Sequence, residues 1–153
     1  MISHLPSRLA VASFHAWDVT SQVAIELSRL GFDSEKIFCL ALISILLSKP
    51  KHVALPDFVE LPSSEGDEPV SCSPAPVAAK LAAKSNGGGG ALEELLGNWL
   101  LPRQAQRIAS YVKRRMIVLG VFLAKGDDER SACLALLDHS ATPVEIHDLV
   151  GSA

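Results

Sequence analysis

Apolar residues fill two stretches of this chain almost without a break. The first runs from Ile37 to Leu47 and is interrupted only by Ser44; the second runs from Met116 to Ala124. Around them, apolar positions recur at helical spacing, so helices are expected along most of the chain. In the N-terminal half, Leu9, Val11, Ala12, Phe14 and Ala16 fit a short helix over 7–17. A second carries Val23, Ile25, Leu27 and Leu30, opened by Asp18 or Thr20 and stopped by Gly31. Asp33 or Ser34 caps a third that reaches about Ser48, just ahead of Pro50.

The C-terminal half starts with a short amphipathic segment from Ala91 to Leu100, and Pro102 opens a longer helix at its first turn. Ile108, Val112, Met116, Leu119 and Leu123 extend that helix over 104–125. The β-branched Ile117, Val118 and Val121 make a strand the competing reading of its last part, but the helical flanks favour helix. Gly126 stops it, and Asp127 caps a helix running to about Asp138. Thr142-Pro143-Val144-Glu145 reads as a capping box that opens a last helix, with Gly151 at its end.

These elements predict an all-α protein. Two helical subdomains, of about three and four helices, occupy 1–61 and 91–153 and are joined by a flexible linker over 62–90. The linker is inferred from Pro62, Pro69, Pro74 and Pro76, from its Ser and acidic residues, and from the run Gly87 to Gly90. The glycines read as a tether, natural or engineered, between two partners. A helix apolar on every face must be covered on every face, and about 60 residues cannot do that alone. The two apolar helices are therefore expected to pack together, with a shared core of Ile37, Phe38, Leu42, Ile45, Leu46, Met116, Leu119, Phe122 and Leu123.

Composition adds little that is specific. The net charge is −3, and the two halves are each nearly balanced, which disfavours nucleic acid or an anionic membrane as the general partner. The apolar runs are shorter than the roughly 20 residues a membrane helix needs, and no secretory signal opens the chain, so a cytoplasmic protein is expected. Cys39, Cys72 and Cys133 are odd in number and form no Cys-x-x-Cys pair, as for reduced thiols.

No phosphate loop, nucleophile elbow or metalloprotease helix is present, so no catalytic residue, cofactor or metal is assigned and the protein is read as a non-enzyme. The densest polar cluster is Asp138, His139, Glu145, His147 and Asp148. It reads as a solvated hairpin surface before it reads as a metal site, because Pro143 separates its members. Arg103, Arg107 and Arg114 share a helix face and could hold phosphates or an acidic partner. Leu134 to Gly151 resembles the first two helices of a bacterial helix-turn-helix, with Glu145-Ile146 at the place where such families carry Glu-Ile. No recognition helix follows in the sequence given, so the resemblance implies no reading of a DNA groove.

The expected function is that of a non-enzymatic protein–protein interaction module: an adaptor, a chaperone or part of a regulatory complex. Its partner is another protein, or each half is the partner of the other. Trp17, Phe58 and Trp99 are the candidate apolar anchors and Arg103, Arg107 and Arg114 the candidate polar ones. The alternative is a DNA-binding transcriptional regulator that uses the basic helix face.

Overall fold

The apolar runs are mostly strand, over Ile37–Leu42 and Ile117–Ala124. In a computed structural model that describes residues 6–63, 66–83 and 92–150, six antiparallel strands form one sheet. They are β1 (Pro6–Phe14), β2 (Ile37–Leu42), β3 (Val59–Glu60), β4 (Val70–Ser73), β5 (Ile117–Ala124) and β6 (Glu145–Asp148), in the order β3-β4-β2-β5-β1-β6. The helices are α1 (Trp17–Arg29), α2 (Ile43–Leu47), α3 (Ala75–Ala83), α4 (Leu92–Leu96), α5 (Pro102–Lys113) and α6 (Glu129–Leu137). The all-α, helical-bundle expectation is thereby overturned.

The physical reason lies in the coverage of the sheet. Ala10, Ala12, Phe14, Ile37, Cys39, Ala41, Leu119 and Val121 face one side, where Trp17, Val23 and Leu27 of α1 and Ala132 and Leu136 of α6 cover them. Leu9, Val11, Phe38, Leu40, Leu42, Val118 and Phe122 face the other side, under α3, α4 and α5. A strand buried on both faces shows no alternation of polar and apolar residues, so its sequence is as uniformly apolar as that of a buried helix.

The chain departs from the expected helices at four places. The segment 7–17 is mostly β1. The run from Ile37 to Leu47 is a six-residue strand followed by the five-residue α2, with the backbone breaking at Leu42 (φ −59°, ψ 149°). The helix expected over 104–125 ends at Lys113, where the N–H of Arg115 bonds the carbonyl of Val112 (3.0 Å) and that of Met116 bonds Tyr111 (3.1 Å). This paired closure places Arg115 at φ +69°, a position that usually takes glycine. The last helix is replaced by β6, which removes the helix-turn-helix resemblance as well. Within the expected linker, 70–73 is β4 and 75–83 is α3, and Cys72, Val77, Ala78 and Leu81 are buried. The tether Gly87 to Gly90 lies outside the described residues.

The strand order interlocks the two ends of the chain. β5 lies between β1 and β2, and β1 lies between β5 and β6, so β1-α1-β2 and β5-α6-β6 are two split β-α-β units threaded through each other. The residues expected to form a helix–helix core are distributed accordingly. Ile37, Leu119 and Leu123 face α1 and α6, whereas Phe38, Leu42, Met116 and Phe122 face α3 to α5. Ile45 and Leu46 sit half-buried in α2. Among the described residues, no helix is long and apolar enough to cross a membrane.

Candidate interaction surface

Helix α1 buries Val23 and Leu27, four residues apart on one face, and closes on Gly31 (φ +99°) with the N–H of Phe32 bonded to the carbonyl of Leu27 (3.2 Å). Ile25 and Leu30 fall off that face and are 48% and 42% exposed. Helix α6 starts at Asp128, whose carboxylate accepts the N–H of Ser131 (3.0 Å), one residue beyond the expected Asp127 cap. It buries Ala132 and Leu136, leaving Leu134 and Leu137 each 56% exposed.

A groove of about 570 Å³ opens between these two helices, lined by Val23, Ile25, Leu30, Leu134 and Ala135. Polar groups on its walls are Gln22, Glu26 and Arg29 from α1, Ser131 from α6, and Asp138 and His139 at the end of α6. Arg29 reaches Glu26 only at 3.8 Å, and Asp138 lies 3.4 Å from His139 Nε2. The groove therefore has an apolar floor and a rim bearing both signs of charge.

The polar cluster expected near the C-terminus is divided by the sheet. Asp138 and His139 belong to the groove. Glu145 and His147 of β6 pair with Val11 and Leu9 of β1 and face α5 on the opposite side. There the Glu145 carboxylate accepts three hydrogen bonds: from the Tyr111 hydroxyl, from Arg107 Nη1 (3.2 Å) and from His147 Nε2 (2.9 Å). His147 is only 7% exposed. Asp148 points away to Arg8 (3.1 Å), which also binds Glu129 of α6 (3.0 Å). Thr142, expected to cap a helix, instead places its hydroxyl 2.8 Å from that of Ser13. This network fastens edge strand β6 to α5. Among the described residues, no group of three or more His, Cys, Asp or Glu is placed to hold a metal.

Of the aromatic anchors, both tryptophans are buried and Phe58 is half-buried. Trp99 is fully buried and packs edge-on against Phe38 and Phe122, with ring centroids 6.1 and 5.1 Å away. Trp17 donates its indole N–H to the carbonyl of Ile45 (3.0 Å) and meets Phe58 edge-on at 5.8 Å. Arg103 and Arg107 are exposed on α5, but Arg107 is held by Glu145, and Arg114 lies past the last helical residue.

No protein family, curated protein or solved structure matches the chain. The groove residues Ile25, Leu30 and Leu134 are not among the candidate site residues that the sequence offers. The available signal was their offset from the i, i+4 pairs Val23/Leu27 and Ala132/Leu136.

Proposed function

We propose that this chain is a non-enzymatic protein-interaction module, of adaptor or regulatory type, and that its α1–α6 face docks on the same face of a second copy. The observation that carries the reading is the half-exposed aliphatic lining of the α1–α6 groove, Ile25 and Leu30 from α1 and its C-cap and Leu134 from α6, with Leu137 also exposed on α6. Contiguous exposed apolar groups mark association surfaces, and full burial of a Leu or Ile is worth about 1.5–3 kcal/mol. A pair of helices offers ridges and grooves that a like pair can fill.

Charge favours a second copy as the occupant. The groove rim carries Glu26 and Asp138 against Arg29, with His139 beside them, so two such faces meet without a strong field of one sign. The rival reading, a regulator that grips nucleic acid, has less support, because Arg107 is engaged by Glu145.

The test is size-exclusion chromatography with light scattering from micromolar to near-millimolar protein. The wild type should reach the dimer mass, and Ile25→Asp with Leu134→Asp should be monomeric with little change in melting temperature. A wild type that stays monomeric throughout would contradict the reading.

A further inference from the structure

A separate cavity, of about 230 Å³, lies on the other side of the sheet from the α1–α6 groove. Its floor is aliphatic: Leu42, the last residue of β2, faces Val70, the first of β4, across the ladder, and Leu61 and Leu92 complete the wall. Its mouth is charged, with Lys113 and Arg115 from the end of α5 and Asp67 and Glu68 from the segment before β4.

These charges are not equally committed. Lys113 Nζ lies 3.3 Å from Glu93. Glu68 accepts both the N–H and the hydroxyl of Ser44, which hold its carboxyl below the ordinary range and keep it ionised. Arg115 lines the cavity with its side chain 59% exposed and reaches Glu68 at only 4.0 Å, through one Nη, so among the described residues most of its five donors have no protein partner. Arg115 is also the one non-glycine residue with positive φ among the described residues, held there by the closure of α5. Glycine would relieve that conformation. Sparsely populated backbone conformations concentrate at ligand clamps, and this one sets a guanidinium at the rim of an apolar cavity.

We propose that this cavity binds a small amphiphile with a short aliphatic body and a carboxylate head. The body lies on Leu42, Leu61, Val70 and Leu92, and the head is held by the Arg115 fork, whose geometry matches a carboxylate. A single negative charge suits the site better than a phosphate dianion, because Asp67 and Glu68 stand nearby. The volume lies below that of drug-sized pockets, which limits the ligand to fragment size. This site is independent of the proposed docking face.

The experiment is a titration of the full chain with sodium octanoate, followed by amide shifts in nitrogen–proton correlation spectra and by calorimetry, with octylammonium chloride as the opposite-charge control. Octanoate should shift the amides of Leu42, Val70, Leu92 and Arg115. Arg115→Gly should weaken its binding about tenfold, the effect of one charge-assisted hydrogen bond. The same variant should melt no lower than the wild type, which separates loss of the ligand contact from loss of the fold. Absence of shifts with millimolar octanoate, equal or tighter binding of octylammonium, or unchanged octanoate binding by Arg115→Gly would each overturn the proposal.

Discussion

The ring of Phe38 occupies the space in which a side chain at Gly120 would project. The two residues are partners in the β2–β5 ladder, and a Cβ built on Gly120 would lie 2.4 Å from both Cε1 and Cζ of Phe38. Glycine in the middle of a central strand marks such a close approach. Phe38 in turn packs against Trp99 and Phe122, so this contact between the N-terminal and C-terminal halves lies at the centre of one aromatic cluster.

Gly120→Ala should therefore destabilise the protein by about 1–3 kcal/mol, the usual cost of overpacking a filled core. Urea denaturation of the wild type and variant measures it. Adding Phe38→Leu should recover part of the loss, because residues in direct contact are not additive in a double-mutant cycle. Strict additivity would show that the ring is not what excludes the methyl group.

Tyr111 is the one tyrosine of the chain, so tyrosinate absorbance reports on it alone. Burial raises its pKa above the ordinary 10.0, and the hydrogen bond to Glu145 and that group's charge raise it further. A raised folded-state value means that the stabilising contribution is complete below the unfolded pKa and is lost as pH rises through the folded pKa. The native titration midpoint should lie above 10, and Glu145→Gln should lower it. A native midpoint at or below the ordinary value would contradict the Tyr111–Glu145 contact.

Thiol chemistry gives a further check on burial. Burial pushes the Cys39 thiol far up and the Cys72 thiol to about 12, while Cys133, half-exposed on α6, is raised by burial and by the charge of Glu129. Reaction needs the thiolate and access to it. In native protein at mildly alkaline pH, an aromatic disulfide reagent should titrate Cys133 alone and slowly, whereas all three thiols should react in denaturant. Rapid native reaction at Cys39 or Cys72 would mean that the sheet is not covered as described.

What the sequence disclosed followed from how each element is exposed. Helices α1 and α5 each have one buried and one wet face, and their ends carry chemistry that residue type reveals: Gly31 at one C-terminus and Pro102 at one N-terminus. Strands β2 and β5 have no wet face, so nothing in Ile37 to Leu42 or Ile117 to Ala124 alternates. Their borders were hidden as well. Leu42 passes from strand into α2 inside one apolar run, and α5 turns into β5 at an arginine where glycine would have given the break away. In β1 the alternation is one of size, Leu9 and Val11 against Ala10 and Ala12, rather than of polarity.

The candidate surface was hidden for a related reason. Tryptophans suggest anchors by type, but Trp17 and Trp99 serve the core, and the apolar residues exposed on α1 and α6 are ordinary Leu and Ile. They become visible only once the buried faces of α1 and α6 are known. Thr142-Pro143 met every local requirement of a helix start, yet pairing with β1 supplied long-range bonds that outweighed it.

Strand β5 lies between β1 and β2, and cross-strand proton contacts measure that arrangement directly. Nuclear Overhauser spectra of the full chain should connect Gly120 to both Val11 and Phe38, and Leu119 to both Ala12 and Cys39, with no helical i to i+3 contacts over 117–124. Helical contacts through that stretch, without the cross-strand set, would contradict the shared sheet and every surface derived from it.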